Sequence, residues 1–176
     1  IDTLPSKKQL SLHAFMPPFS KITGFDLSAA AELGDSISPK LYTMHWRLML
    51  HEWGKWLLAN NPQLDENLLT RALANLLKLS DIALQEPRLD DFAYPLPDEP
   101  HGIGERAQSA KLQAVRAAVA GRASVFPLVH GYGPAEDFAA RLRVSCDESD
   151  DGVWVNRYGY LTDENLDLIL ACKASV

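Results

Sequence analysis

Long apolar runs and basic clusters are both missing from this sequence of 176 residues. No stretch approaches the ~18 consecutive apolar residues of a membrane-spanning helix, so we expect no membrane partner. The net charge is −6 and no basic stripe stands out, which argues against a nucleic-acid partner. Hydrophobic residues make up 47% and charged residues 23%, a balance typical of one folded domain with a full-sized core.

Cysteine is scarce too: the chain has 2, Cys146 and Cys172, and neither belongs to a CxxC motif. We expect two buried or idle thiols, since a free cysteine often behaves as a small hydrophobe. Unpaired thiols slightly favour the cytoplasm. The chain starts at Ile1 without a methionine or a signal-peptide pattern, which is typical of a processed product or a fragment.

Motifs for phosphate and metal binding are also absent. No GxGxxG or Walker A pattern occurs, so the glycine-rich loop of nucleotide-binding sheets is missing. Neither HxH nor HExxH occurs, and after His51-Glu52 the place of a second histidine is taken by Lys55. We therefore expect no cofactor and no resident metal ion.

What is present is an alternation of strands and helices. We predict strands over 9–15, 36–42, 124–129 and 152–155, although Pro39 fits the second strand only at an irregular point. We predict helices over 27–33, 44–59, 65–79 and 104–120, then one after Pro134 and one after Thr162. A long proline-rich loop covers 80–103, and such loops are often functional. Strands separated by helices imply parallel pairing with right-handed crossovers.

Four such strand–helix units allow two α/β architectures. A complete (β/α)₈ barrel takes ~250 residues, so four strands could form only its second half, strands five to eight. The alternative is a small open parallel sheet over 1–176. We favour the half-barrel because all four strands end in polar and aromatic residues, at the edge where barrels carry their chemistry. The absence of a glycine-rich phosphate-binding loop also argues against an open nucleotide-binding sheet.

Residues that suit a polar ligand follow the predicted strands. We expect a substrate-binding cleft lined by His13, Lys40, Tyr42, His45, Trp46, His130, Tyr132, Asn156, Arg157 and Tyr158. Flat aromatic rings beside hydrogen-bond donors suit a carbohydrate or another polar small molecule. We expect Trp46 and Tyr158 to stack on a sugar, and Arg157 or Lys40 to orient it.

Two runs of sequence resemble late strands of bacterial glycoside-hydrolase-like (β/α)₈ proteins. They are Ser38-Pro39-Lys40-Leu41-Tyr42-Thr43-Met44-His45-Trp46 and Asp151-Gly152-Val153-Trp154-Val155-Asn156-Arg157-Tyr158-Gly159-Tyr160-Leu161. In that class, endings of the type DG(V/I)W…RYG close the last barrel strand. The resemblance covers most of the chain as strands five to eight. It implies a carbohydrate-active barrel with its sugar cleft at the carboxyl ends of the strands.

Carboxylates are missing where such an enzyme needs them. Glycoside hydrolysis normally uses two, and no Asp or Glu stands right at a predicted strand end. Asp26 is the best placed, but it also suits the start of a helix. The catalytic residues thus remain unknown, and at least one would belong to an absent first half of the barrel.

Three functions remain open at this point. The first is a glycoside-hydrolase-like enzyme. The second is a non-catalytic carbohydrate-binding or scaffold barrel, which the missing carboxylates favour. The third is a metal-dependent hydrolase whose ligands would be His13, His45 and His130, three histidines near different strand ends. A lone half-barrel would expose apolar edges, so it would need a missing N-terminal half or self-association.

Overall fold

A computed structural model describes residues 8–79, 85–150 and 152–173 of the chain. The strands are β1 (Ser11–Phe15), β2 (Ser36–Leu41), β3 (Ser124–Val125), β4 (Leu128–His130) and β5 (Trp154–Asn156). The α-helices are α1 (Phe19–Ile22), α2 (Leu27–Leu33), α3 (Thr43–Asn60), α4 (Glu66–Leu76), α5 (Glu105–Val119), α6 (Ala135–Asp147) and α7 (Asp163–Lys173). None of these helices is long and apolar enough to cross a membrane.

The strands form one parallel sheet in which spatial order follows chain order. β1 pairs with β2, β2 pairs with β3 and β4, and β4 pairs with β5. The helix after each strand lies beside the next one, because α2 packs on α5, α5 on α6 and α6 on α7. This confirms the prediction of an α/β fold with parallel strands. The half-barrel remains a prediction.

The two faces of the sheet differ in chemistry. One face belongs to the main hydrophobic core through Leu12, Ala14, Ile37, Leu41, Val125, Val129, Val153 and Val155. Side chains alternate along a strand, so the pairing register places the other residues in rows on the second face. These rows are Ser11–Ser36–Ser124, His13–Ser38, Phe15–Lys40–Leu128–Trp154 and His130–Asn156. The second face is therefore mainly polar and aromatic.

Two prolines explain why the strand predicted over 124–129 is split into β3 and β4. β3 pairs with Ser36 and Ile37, and β4 pairs with Lys40 and Leu41, so the break lies opposite Pro39. Pro127 lies in the break itself. Proline has no N–H to donate to a ladder, and the interruption accommodates both residues. Pro39 thus occupies the irregular point that the sequence required.

A long insertion, residues 42–104, separates β2 from α5. Within it α3 packs on α4 and on a short 3₁₀ turn, Leu89–Phe92. The side chain of Arg47 fastens the following loop to α3, since its guanidinium donates to the carbonyls of Asp91, Pro100 and His101. The predicted loop over 80–103 lies outside the described residues at 80–84, and its described part contacts α4 and then α3.

Helix caps fix the starts of three helices. The Asp26 carboxylate accepts from the backbone N–H groups of Ser28 and Ala29 and thereby caps α2. Asp65 caps α4 by accepting from Leu68, and the Thr162 hydroxyl accepts from Asn165 at the start of α7. Each cap satisfies an N–H that has no partner within the helix. The one carboxylate that seemed best placed for catalysis is therefore committed to a cap.

Cys146 and Cys172 form a disulfide, which corrects the prediction of two free thiols. The bond joins α6 to α7, with the two Cα atoms 6.8 Å apart. Neighbouring helices in one layer bring together residues that no sequence spacing places side by side. The argument from unpaired thiols for the cytoplasm falls away, because disulfides persist in oxidising compartments.

Candidate functional site

The row of side chains nearest the carboxyl edge of the sheet brings three predicted residues together. Leu41 pairs with Val129, so Tyr42 lies level with His130, and His130 pairs with Asn156. The rings of Tyr42 and His130 meet edge to face with centroids 5.0 Å apart. The Asn156 amide donates to the Tyr42 hydroxyl at 2.6 Å. Three parallel strands therefore deliver one continuous polar and aromatic row, which we call the edge row.

Aromatic rings extend the edge row on two sides. His45, in the first turn of α3, packs on Tyr42 and on Tyr94 of the insertion. Tyr132 follows β4 and contacts Tyr94, His130 and Tyr160, with ring centroids 5.4 to 6.4 Å apart. Such offset and edge-to-face pairs are the favoured geometry for aromatic rings. We call the six residues Tyr42, His45, Tyr94, His130, Tyr132 and Tyr160 the aromatic cluster.

Hydrogen bonds fix the orientation of the edge row. The backbone N–H of Tyr132 donates to Nδ1 of His130 at 3.0 Å, so the proton of the neutral imidazole lies on Nε2. The Oδ1 atom of Asn156 accepts from the N–H of Arg157, which leaves the amide nitrogen to face Tyr42. The Tyr132 hydroxyl donates to the carbonyl of Pro95 at 2.8 Å. These contacts tie the insertion loop to the strand ends.

A buried polar network lies behind the cluster. Arg141 of α6, only 1% exposed, donates to the carbonyls of His130 and Tyr132 and contacts Nδ1 of His101 at 2.9 Å. The same His101 ring nitrogen lies 2.7 Å from the Thr43 hydroxyl. The backbone N–H of His101 donates to the Asp137 carboxylate. One guanidinium therefore joins the end of β4, the start of α3 and the insertion loop.

Gly133 allows His101 to lie against the β4 turn. Its φ of +98° suits glycine, and a Cβ added there would lie 2.5 Å from Nε2 of His101. That nitrogen is buried and has no hydrogen-bond partner within the described part of the chain. A glycine is needed here for close packing of the imidazole.

Burial keeps the histidines of this region neutral. Desolvation, together with the nearby His45, Arg141 and Arg157, lowers the pKa of His130 to about 4. Desolvation lowers the pKa of His101 to about 3, with added effects of Arg141 and Arg47. The pKa of His45 is also lowered, by burial and by Lys40. Burial and neighbouring tyrosines raise the pKa values of Tyr94 and Tyr132, so both hydroxyls stay protonated.

The remaining predicted site residues lie at different positions relative to the edge row. Lys40 lies one row below the edge row with its ammonium over the Phe15 ring, and Arg157 is exposed beside His130. Tyr158 is 77% exposed and forms none of the ring contacts of the cluster. His13 is exposed, two rows further down β1.

Trp46 is a core residue and lies apart from the cluster. It is 0% exposed, and its ring stacks on Phe19 and faces the Lys111 ammonium. This placement corrects the expectation that its ring stacks on a sugar. The helical spacing of α3 turns Trp46 inward while His45, its neighbour, faces the strand ends.

The three histidines are not assembled as metal ligands. In the ranges 8–79, 85–150 and 152–173 no three His, Cys, Asp or Glu residues lie together as a metal site requires. His45 and His130 both belong to the aromatic cluster, whereas His13 lies lower on β1. The hypothesis of a metal-dependent hydrolase therefore has no support in the arrangement of the described residues.

Sequence reasoning missed four residues of this region: Tyr94, His101, Arg141 and Tyr160 were not among the predicted site residues. Tyr94 and His101 belong to the proline-rich loop, whose length was the only signal that it reaches the site. Tyr160 follows the last strand closely enough to have been included. Arg141 lies on a helix that reads as an amphipathic surface helix, and its burial appears only in three dimensions.

A cleft in another part of the described structure lies apart from the cluster. It measures about 700 Å³ and is bounded by Pro17, Asp26, Lys78 and Ala114, between the α1–α2 corner and α5. None of the histidines or tyrosines of the cluster line it, and its Asp26 is engaged in capping α2. We assign the candidate site to the aromatic cluster because strand ends, donors and aromatic faces converge there.

The fold and this edge define an α/β protein with a candidate site for a polar ligand at the carboxyl ends of its parallel strands. Neither a family model, nor a curated protein, nor a solved structure matches the chain.

Proposed function

We propose that this chain recognises a carbohydrate at the aromatic cluster, as part of a carbohydrate-active (β/α)₈ protein. The observation that carries the proposal is the convergence of three strand ends and the insertion loop on six aromatic or imidazole rings. Aromatic faces pack on the C–H faces of sugars, while nearby donors bind hydroxyl oxygens. Tyr160, 54% exposed, offers the ring most open to a ligand within the cluster.

The order of the strands supports a half-barrel as the frame of this site. In a (β/α)₈ barrel the strands follow one another in chain order, with all helices on the outer side. The sheet here has that order, and α2, α5, α6 and α7 form one continuous layer. Parallel sheets are normally covered on both faces, yet His13 and Trp154 on the second face are exposed. A barrel interior would cover them.

Glycoside hydrolysis is the second candidate, favoured by the position of the cluster at the edge where barrel enzymes place their chemistry. Among the described residues no carboxylate contacts Tyr42, Asn156 or Tyr160 within hydrogen-bond distance. A hydrolase would thus need its acid pair from outside this set of contacts. Carbohydrate binding requires no catalytic carboxylates, so we place it before hydrolysis.

The test of the proposal is saccharide binding by matched tyrosine and tryptophan variants. The wild-type protein is screened by calorimetry against neutral and acidic oligosaccharides, and the Tyr160→Ala variant is titrated with each ligand that binds. We expect a loss of about 10-fold or more in affinity, because stacked aromatic rings contribute on the order of 1.5 kcal/mol. The control is Trp56→Ala, which removes an equally exposed aromatic ring on α3, away from the cluster.

Two outcomes decide between the candidates. Binding that Tyr160→Ala weakens and Trp56→Ala leaves unchanged supports the site, and release of reducing ends from the same ligand would add hydrolysis. Absence of binding to every saccharide class, with the fold intact by circular dichroism, would overturn the proposal.

A further inference from the structure

The edge row offers hydrogen-bond donors, and each of its side-chain acceptors already accepts one hydrogen bond. Nδ1 of His130 is occupied by the N–H of Tyr132, and Oδ1 of Asn156 is occupied by the N–H of Arg157. The Tyr42 hydroxyl accepts from Asn156, so its own proton is free to be donated. The Nε2–H of His130 is a donor without a partner among the described residues, although the His130 side chain is more than nine-tenths buried.

Two permanent cations flank this row of donors. Lys40 lies one row below Tyr42 on the same face of β2, and Arg157 follows Asn156 directly. In the described part of the chain no carboxylate lies within ion-pair distance of either one. Strand spacing and rise put their backbones on the order of 14 Å apart. The Lys40 ammonium lies over the Phe15 ring, and its charge acts on His45 of the aromatic cluster.

The electrostatic potential at the edge row is positive because cationic side chains surround it. Every charged neighbour that acts on His45 and His130 disfavours their protonation: Lys40 on the first, and Arg141 and Arg157 on the second. Among the acids, Asp98 and Glu99 act on Tyr132, and Asp137 lies beside the buried Arg141. A neutral hydroxyl both donates and accepts, and each side-chain acceptor of the edge row already accepts one hydrogen bond. A group that only accepts hydrogen bonds fits better.

We propose that the saccharide bound here carries an oxyanion, a carboxylate or a sulfate ester, received by the Tyr42 hydroxyl, Nε2 of His130 and the Arg157 guanidinium. Lys40 adds a second positive charge to the same space. This inference rests on the proposed function, since it specifies the class of sugar rather than a different ligand.

The experiment compares three probes on the intact protein: oligomers of galacturonate, sulfated galactose oligosaccharides and the uncharged galactose oligosaccharides of the same length. We expect one or both acidic probes to bind at least 10-fold more tightly than the neutral one. The Arg157→Gln variant should weaken acidic binding by about 10- to 100-fold, as expected for losing a charge-assisted hydrogen bond, and weaken neutral binding less. Arg106→Gln, which removes an exposed arginine on α5, is the control for net charge.

The outcomes separate this inference from the proposed function. Preference for galacturonate or for sulfate alone identifies the oxyanion and supports the inference. Equal binding of acidic and neutral probes, or equal losses in Arg157→Gln and Arg106→Gln, overturns it and leaves carbohydrate recognition standing. Failure of all three probes and of the wider saccharide screen overturns both.

Discussion

Arg141 is the residue on which most of the site depends for its position. Its guanidinium lies in the protein interior, reaches two carbonyls at the end of β4 and contacts His101 from the insertion. Asp137, four residues earlier on α6, lies 3.8 Å away and offsets part of the buried charge. Burial still lowers the Arg141 pKa to about 10.

Replacing Arg141 by Met should therefore destabilise the protein strongly. The substitution keeps most of the volume but leaves two buried carbonyls without donors, a loss of about 2–5 kcal/mol in the free energy of unfolding. Urea unfolding followed by circular dichroism measures it. The matched control is Arg143→Met on the same helix, where an exposed ion pair with Glu105 is lost and less than about 1 kcal/mol is expected. Equal effects of the two variants would contradict this role of Arg141.

The buried neutral histidines make the stability of the protein depend on pH. In the unfolded chain a histidine titrates near pH 6.5, whereas the folded pKa values are about 3 for His101 and about 4 for His130. Between these values the unfolded state binds more protons, so stability is complete above pH 6.5 and falls as the pH drops toward 4. Arg47, Arg141 and Asp137 surround His101, and only Asp137 opposes this trend.

The variant His101→Asn isolates one of these titrations, because the Asn oxygen replaces the Nδ1 acceptor. Its unfolding free energy should depend on pH less steeply between pH 6.5 and 5, by up to about 1.4 kcal/mol per pH unit. Chemical unfolding at several pH values measures the slope. His13→Asn, which removes an exposed histidine, should leave the slope of the wild type unchanged. An unaltered slope in His101→Asn would show that this imidazole is protonated in the folded state.

At the scale of elements, the alternation of apolar residues and the helix caps were sufficient to predict most of the fold. α2 was predicted over 27–33 and begins and ends there, because Asp26 and Gly34 bound it. The break between β3 and β4 was not predicted, since it arises where prolines of two neighbouring strands meet. Local signals determine elements, whereas a shared irregularity requires knowledge of the pairing.

Like the fold, the candidate site was predictable only in part. Tyr42 directly follows β2, His130 and Asn156 end β4 and β5, and parallel pairing alone brings strand ends together. Trp46 was predicted to lie at the site. A residue in the first turn of a helix can face either the strand ends or the core, and Trp46 faces the core. Arg141 and the disulfide partners come from helices, and their meeting depends on how the helix layer packs.

The disulfide between α6 and α7 should contribute to the stability of the last unit. Closing a loop of this length restricts the unfolded chain and is worth about 3–4 kcal/mol in the loop-entropy estimate. Reduction by dithiothreitol should lower the melting temperature of the wild type. The double variant Cys146→Ser with Cys172→Ser should melt at that lower temperature with or without reductant. Thiols that react in the unreduced, denatured protein would show that the bond is absent.

At the scale of the whole molecule, the uncovered face of the sheet is the feature that separates a half-barrel from an open sheet. Trp154 lies on that face in the row Phe15–Lys40–Leu128–Trp154 and is 55% exposed. In a barrel such a row points into a packed interior. In the sheet of this chain alone, Trp154 stays in contact with solvent. The two architectures therefore differ in the environment of one tryptophan.

Covalent footprinting of the polypeptide isolated from its native source measures that difference. If the natural protein completes a barrel, labelling of Trp154 should fall at least several-fold relative to the chain of residues 1–176, because the interior excludes the reagent. Trp56, exposed on α3 and remote from the sheet, serves as the internal control and should label equally in both samples. Equal labelling of Trp154 in the two would mean that the second face stays open. The edge row would then be the upper border of an accessible polar surface, and the half-barrel would be wrong.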